Sequence, residues 1–333
     1  MKTLAIETSC DETSIAVIED GRKILSNIIS TQIETHRKFG GVVPEIASRM
    51  HVENITKIMQ IALDDAKVNL SEIDFISVTK GPGLVGALLV GVSFAKALAY
   101  SLDIPLVGVN HIEGHICANY LSYEDVEPPF IALVISGGHT YLVEVIGYDK
   151  YNVIGRTRDD AVGEAFDKVA RALGLAYPGG PLIDKLAKNG NPQAINFPRI
   201  YLEENSYDFS FSGLKTAVLN YLNQKKLKDE EICVEDVAAS FQMAIIEVLC
   251  EKTFRLLKEK KMNKLVIAGG VAANSAIRDI FNQKSLENNI KLYIPKINLC
   301  TDNAAMIGSA GYYSYIAGNK STLDLKVNAN LSL

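Results

Sequence analysis

Residues 130–146 read FIALVISGGHTYLVEVI. An apolar run, Phe130–Ile135, meets a tight turn, Ser136-Gly137-Gly138-His139-Thr140, and a second run, Tyr141–Ile146, leaves it. Two such runs around paired glycines predict strand, turn, strand, and Tyr151–Ile154 offers a third strand. The chain opens on the same pattern. Leu4–Ile6 and Ser14–Ile18 are strand-like and joined through Glu7-Thr8-Ser9-Cys10-Asp11-Glu12-Thr13. Asp20-Gly21 then signals a hairpin into a third strand, Lys23–Ile29. Placing Ser136 on Ser9 also puts Thr140 on Thr13.

The pattern repeats outward from these meanders. In the first half, a helix around Pro44–Lys67 carries Ile46, Met50, Ile55, Ile58, Ile61 and Ala62 at helical spacing. A buried strand at Asp74–Thr79, a helix at Leu88–Leu102 and a strand at Pro105–Val109 follow. In the second half, Lys264–Ile267, an Ala272–Phe281 helix and Leu292–Ile294 echo that unit. Glu127-Pro128-Pro129 is a hinge between the copies, and helices within about 159–235 form an insertion. The expectation is a duplicated α/β chain. A first lobe spans 1–127, rejoined by a last helix near 303–333, and a second spans 128–302.

Composition narrows the function classes. The chain has 333 residues, 48% hydrophobic and 22% charged, which suits a globular protein large enough for two cores. A net charge of −5 argues against bulk electrostatic coating of nucleic acid. The five cysteines are odd in number and never form CxxC, as in a reducing compartment, so a cytoplasmic protein is expected. No signal peptide opens the chain and no membrane partner is expected. GALLVGVSFAKALAYSL, interrupted by Lys96, reads as a buried helix.

Chemistry concentrates in a few places. Two of the five histidines, His111 and His115, stand four apart in VNHIEGHICANYL, so a helix puts both on one face. A solvated pair is the competing reading, because a metal site needs a third ligand and an open position. Asp302 in CTDNAAMIG is a candidate ligand, or else a helix N-cap. The Ser136–Gly138 turn can offer backbone N–H groups to a phosphate. Asn274, after Gly269-Gly270, can donate to and accept from a base, although tight strand–helix packing also explains those glycines. Asp167, Gly180 and Asp184 flank a turn where carboxylates could take ribose hydroxyls. Gly81–Gly86 fits G-x-G-x-x-G but follows the wrong strand for a dinucleotide fold, and reads as a packing turn. His-Ile-Glu-Gly-His is not the protease H-E-x-x-H. Tyr312, Tyr313, Tyr315 and the apolar face of the Pro44–Lys67 helix are candidates for a protein-binding surface, with core packing as the alternative.

With IETSCDETSIAV, GGVVPEIASRMH, GPGLVGALLVG, NHIEGH, LVISGGHT, DDAVGEAFDKVAR, YPGG, FSFSGLKTAV, AGGVAANS and CTDNAAMIG in order, the chain resembles the TsaD family, bacterial type, along its whole length. These are tRNA adenosine threonylcarbamoyltransferases, formerly called O-sialoglycoprotein endopeptidases. The resemblance implies a duplicated actin-like (ASKHA, ribonuclease H-like) fold, with a nucleotide cleft between two lobes. It implies a metal on His111, His115 and Asp302, iron(II) first, although the ligand types also allow zinc. It assigns the adenylate to Val134, Ile135, Ser136, Gly137, Gly138, Asp167, Gly180, Asp184 and Asn274. The implied reaction carries a threonylcarbamoyl group from threonylcarbamoyl-AMP to N6 of adenosine 37 in tRNAs reading codons that begin with A. TsaB and TsaE are the helper proteins it suggests. Asp11, Glu12 and His139 stay open as candidates for the base. A small-molecule kinase of the same superfamily, using ATP, is the rival reading, and a non-catalytic nucleotide-binding subunit is a third.

Overall fold

Lys2–Glu7 (β1) is buried along almost its whole length, so it reads as a continuous apolar run rather than an alternating one. The computed structural model, which describes residues 1–203 and 205–333, puts this strand at the centre of a five-stranded sheet. Glu12–Glu19 (β2) pairs antiparallel with β1, in the register Ile6 to Ile15, and Lys23–Thr31 (β3) pairs antiparallel with β2. Phe75–Gly81 (β4) runs parallel to β1, and Leu106–Asn110 (β5) parallel to β4. The sheet order is β3-β2-β1-β4-β5.

Parallel neighbours require helical crossovers. Ile33–Arg37 (α1) and Pro44–Ala66 (α2) connect β3 to β4, Val85–Leu102 (α3) connects β4 to β5, and His111–Cys117 (α4) follows β5 directly. Pro44 opens α2, where a missing N–H costs nothing, and Lys67 ends it in a left-handed C-cap. Ile55, Ile58, Met59, Ala62 and Leu63 of α2 join Val92, Ala95 and Ala99 of α3 over Leu4, Ile6, Ile15 and Val17. Much of the apolar face of α2 is therefore core, with Ile55, Ile58 and Ala62 buried, Ile46 and Met50 half-buried and Ile61 left exposed. A correction concerns α3. At 18 residues and mean hydropathy 1.7 it is long and apolar enough to cross a membrane by length and composition, contrary to the sequence reading. Here it is the β4–β5 crossover, with Ala87, Leu88, Gly91, Val92, Ala95 and Ala99 buried.

The second unit repeats the plan. Phe130–Ile135 (β6), Thr140–Gly147 (β7) and Lys150–Arg156 (β8) form the meander, and Lys264–Ala268 (β9) and Lys291–Tyr293 (β10) lie parallel beyond β6. The order β10-β9-β6-β7-β8 matches the first sheet strand for strand. Among the described residues, four helices fill the β8–β9 crossover: Val162–Ala172 (α5), Gly179–Ala187 (α6), Ser212–Leu227 (α7) and Val234–Lys260 (α8). Ser275–Glu287 (α9) links β9 to β10. The unit comprises Pro129–Val145 and Asn152–Ile294.

Ala304–Ile316 (α10) returns to the first unit, which comprises Met1–Pro128, Ile146–Tyr151 and Pro295–Leu333. Its small residues let it lie directly on the sheet face opposite α2. A Cβ added to Gly308 would sit 2.6 Å from Ile18 and 3.1 Å from Ala5. The tyrosines of α10 are inward packing rather than a partner surface. Tyr313 stacks on Tyr148 at 4.2 Å and accepts a hydrogen bond from Arg22, while Tyr315 stacks on Phe75 at 4.5 Å. Tyr312 closes over Gly21.

Candidate functional site

In the first unit, β1, β4 and β5 are mutually parallel, and their carboxyl ends deliver Glu7, Gly81 and Asn110 to one edge. Sites in open α/β sheets gather at such edges. Asn110 caps α4, its side-chain oxygen accepting from the Ile112 N–H at 2.8 Å, so the helix begins at His111. One turn later comes His115, and the two rings lie 4.6 Å apart, edge to face.

Asp302 meets them. Its Oδ1 is 3.4 Å from His111 Nε2 and 3.3 Å from His115 Nε2. One donor atom from each of the three lies within 4.8 Å of the others, so the residues paired by spacing and the distant carboxylate do converge. The cap reading of Asp302 falls away. The N-cap of α10 is Asn303, whose side-chain oxygen accepts from the Met306 N–H at 3.1 Å.

Behind His111 stands Glu7, a residue the sequence reading did not single out. Its Oε2 lies 3.2 Å from His111 Nδ1 and accepts from the Thr79 hydroxyl at 2.6 Å, while Oε1 accepts from the Ser9 N–H. Ser9 Oγ also lies 3.2 Å from Nδ1. Glu7 is fully buried, as is His115. Among the described residues His115 Nδ1 has no hydrogen-bond partner, and the group nearest Nε2 is the Asp302 carboxylate at 3.3 Å.

The electrostatics follow from burial against opposite charge. Burial alone would push the Asp302 carboxyl up, but His111 and then His115 hold it far below the usual range. Glu7 is lowered in the same way, with His111 outweighing its burial. For His111, burial disfavours the cation, and Asp302 and Glu7 together overturn that and raise it well above normal. His115 stays on the lowered side because burial dominates. In the adjoining turn, Glu12 is held well above the ordinary range by burial, then by Asp302 and Asp11.

That turn is braced by His51, also missed in the sequence. Burial lowers its pKa, so it is neutral, with Nε2–H donating to the Cys10 carbonyl at 2.9 Å and Nδ1 accepting from the Thr13 hydroxyl at 2.7 Å. Gly83 presses on the turn from the other side. A Cβ there would lie 2.8 Å from Ser9 Cβ, and Leu84 N–H donates to the Ser9 carbonyl at 2.8 Å. The G-x-G-x-x-G segment is therefore a packing turn.

In the second unit the equivalent edge carries the Ser136 turn, closed by Ser136 N–H donating to the His139 carbonyl at 2.8 Å. Val134 and Ile135 are buried strand residues that aim it. Nothing lies within 4 Å of a Cβ at Gly137 or Gly138, so that side of the turn is open. The start of α5 closes on its other side. Gly163 N–H donates to the Ser136 carbonyl at 3.2 Å, and a Cβ on Gly163 would sit 2.7 Å from Gly137 Cα. Around this turn lies a depression of about 440 Å³, lined by Gly138, His139, Thr140, Tyr141, Arg156, Thr157 and Arg158.

The remaining sequence candidates hold the edge together. Parallel pairing of Val134 with Ala268 brings Gly269-Gly270 beside the Ser136 turn. The two glycines divide the two explanations offered for them. A Cβ on Gly269 would run into the Ile135 carbonyl, whereas Gly270 faces open space. Asp167 accepts from the Gly179 N–H at 2.7 Å, one residue before Gly180. Both carboxylate oxygens of Asp184 accept from Ser275, at 3.0 Å each. Asn274 caps α9 through Ile277 N–H and donates to Gln242 at 2.7 Å, so the helix begins at Ser275, later than the sequence suggested.

Comparison with known proteins adds the family. The model described as TsaD, tRNA N6-adenosine threonylcarbamoyltransferase, matches residues 23–309. A Clostridioides difficile (strain 630) protein named tRNA N6-adenosine threonylcarbamoyltransferase is 62% identical over 331 residues, covering 99% of this chain and 98% of that relative. One of the same name from Clostridium kluyveri is 57% identical over 334 residues, covering 100% and 98%. Among solved structures, T. kodakarensis HypF aligns with TM-score 0.66 at 15% identity, over 95% of this chain and 48% of that one. Component A of the Acidaminococcus fermentans (R)-2-hydroxyglutaryl-CoA dehydratase aligns with TM-score 0.54 at 12% identity, over 95% and 97%. At those identities the likeness is one of fold, the duplicated actin-like α/β architecture. With a family model spanning most of its length and relatives this similar from end to end, the chain belongs to the TsaD family of tRNA N6-adenosine threonylcarbamoyltransferases.

Proposed function

We propose that this chain transfers the threonylcarbamoyl group of threonylcarbamoyl-AMP to N6 of adenosine 37 in tRNAs reading codons that begin with A, releasing AMP. The observation that carries this reading is the buried cluster of His111, His115 and Asp302 in a chain of this family. A small-molecule kinase of the same fold has no use for such a cluster.

The donor is a mixed anhydride with a good leaving group, whereas the adenine amine is a poor nucleophile. Positioning is therefore the main task. In this reading Gly137 and Gly138 present their N–H groups to the AMP phosphate on the open side of the turn, beside the N-terminus of α5. Asp167, Gly180, Asp184 and Asn274 form the wall for the nucleoside, with Asp184 and Asn274 fixing the start of α9.

The donor set fits a metal ion. Two imidazoles and a carboxylate converge, both Nε2 atoms lie within 3.4 Å of the Asp302 carboxylate, and that carboxylate is held ionised. His111 and His115 would bind through Nε2 and Asp302 through Oδ1, with iron(II) or zinc as the ion. A cation there supplies Lewis-acid polarisation of a substrate oxygen. The chain supplies the rest. Glu7 holds the His111 ring, and the His51-braced turn carries Asp11 and Glu12, with Glu12 close enough to Asp302 to feel its charge.

The enzyme acts in the cytoplasm, with TsaB and TsaE as helper proteins. Support for helpers is the charge balance, 34 basic residues against 39 acidic, because tRNA affinity comes from neutralising phosphates. The deciding experiment is single-turnover transfer to unmodified tRNA from preformed threonylcarbamoyl-AMP, with and without the helpers. A parallel reaction offers ATP with sugars or acetate. Modified tRNA with helpers present supports the reading. Phosphorylated small molecule instead would replace it with a kinase, and full-rate transfer by the isolated chain would remove the helpers.

A further inference from the structure

The two histidines of the cluster differ in what stands behind them. His111 Nδ1 faces the Glu7 carboxylate at 3.2 Å, whereas His115 Nδ1 has no hydrogen-bond partner among the described residues. We infer that Glu7 is the positioning residue of the site: it fixes His111 as the Nδ1–H tautomer, turns Nε2 toward Asp302, and thereby sets how tightly the cluster holds its ion. The inference rests on the metal reading proposed above.

Three features make Glu7 suited to the role. It is immobile, because Thr79 donates to Oε2 at 2.6 Å and Ser9 N–H fixes Oε1. Its carboxylate ends β1, at the strand edge that also delivers His111 from β5, so backbone pairing through β4 sets their separation. Both of its oxygens already act as acceptors, from the Thr79 hydroxyl and the Ser9 N–H, so the ring nitrogen that faces Oε2 is the one suited to carry the proton. A ligating imidazole that donates its second N–H to a carboxylate has a fixed ring plane and a more basic metal-binding nitrogen, and loss of such a partner costs roughly 10–100-fold in metal affinity. Ser9 Oγ, also 3.2 Å from Nδ1, is a weaker alternative because it is neutral and can itself donate. His115 Nδ1 has no such partner among the described residues, and its ring is fully buried.

The test uses the full chain loaded with zinc, which is diamagnetic and suits the same ligands. Affinity is read by competition with a chelator for wild type, Glu7→Gln and Ser9→Ala, with thermal unfolding as a check on folding. Glu7→Gln keeps the shape but removes the charge and replaces one of the two accepting oxygens with a donor. The expected result is zinc binding about 10–100-fold weaker in Glu7→Gln, and within about threefold of wild type in Ser9→Ala. A second measurement needs no variant: nitrogen-15 NMR of zinc-loaded wild type, where His111 should show a protonated Nδ1 and a zinc-bound Nε2. Wild-type affinity in a folded Glu7→Gln, or zinc on Nδ1, overturns the role of Glu7 while leaving the metal site standing. Absence of stoichiometric zinc or iron in the wild type overturns the metal reading, and the role of Glu7 with it.

Discussion

The loops at the heads of the two sheets, β1–β2 and β6–β7, occupy the same place in the same topology and are built to opposite ends. The first, Glu7–Thr13, is acidic, buried and wired: His51 spans it, Gly83 presses on it and Leu84 donates to it. The second, Ser136–Thr140, is short, with paired glycines and one internal hydrogen bond, and its outer side faces space. Duplication kept the backbone path because strand register depends on the core, whereas loop side chains do not enter it. A rigid acidic loop suits holding cationic chemistry in place. An open loop of backbone donors suits an anion that arrives and leaves.

The comparison breaks most completely at the histidine cluster. His111→Ala and Asp302→Ala should each leave bound metal far below one per chain and lower transfer more than about a hundredfold, exceeding the effect of losing a supporting partner. Elemental analysis beside circular dichroism checks this. Full occupancy in both variants would reduce the cluster to a buried ion pair.

Gly83→Ala probes the wiring. Its Cβ would be driven onto Ser9, so unfolding free energy should fall by about 2 kcal/mol, and metal retention with it. Gly270→Ala, facing open space, should cost well under about 1 kcal/mol. Equal denaturation midpoints for the pair would show that the first loop is not held by packing.

Gly137→Val tests the open loop. The added side chain has room in the fold but stands where a phosphate would approach, so AMP binding measured by calorimetry should weaken about tenfold or more, near 1.4 kcal/mol. Metal content should not change. Undiminished AMP binding would take the loop out of the nucleotide site.

The smallest effect concerns the support of the second unit. Asp159 accepts hydrogen bonds from Phe211 N–H, Ser212 N–H and the hydroxyls of Ser210 and Ser212. Partial burial opposes its ionisation, but these bonds prevail and lower its pKa. A lowered carboxylate contributes stability that is present above its unfolded value, about 3.9, and is lost as pH falls through the folded one. The contribution is under about 1 kcal/mol because the group is largely exposed. Asp159→Asn should therefore flatten the loss of stability between about pH 5 and 3. An unchanged acid limb would contradict this.

Several of these elements could be read from letters. The inner strands β1 and β6 are continuous apolar runs, paired glycines mark the second loop, and a histidine pair at i, i+4 declares itself on any helix. Asp302 was legible only as a choice between ligand and cap. Its neighbour Asn303 resolves that choice, and nothing in CTDNAAMIG says which of the two polar residues turns inward. Glu7 left one faint signal, a charge closing a buried strand. His51 left none, because its partners Cys10 and Thr13 lie far off in sequence. The tyrosines of α10 are open in sequence between a partner surface and core packing, and packing holds for Tyr313 and Tyr315, because Phe75 and Tyr148 reach them only through the fold.

The helix α10 has one more consequence, for the order in which the protein is made. The first unit is discontinuous: its sheet is synthesised early, yet the helix that covers one face of β1 and β2 emerges only after the whole second unit. Until then the ribosome-bound chain carries both histidines but not Asp302, and it exposes an apolar sheet face that attracts other chains. On the metal reading proposed above, ion loading would wait for the chain's last segment, and a fragment ending at Pro128 would lack both Asp302 and the helix that covers its sheet.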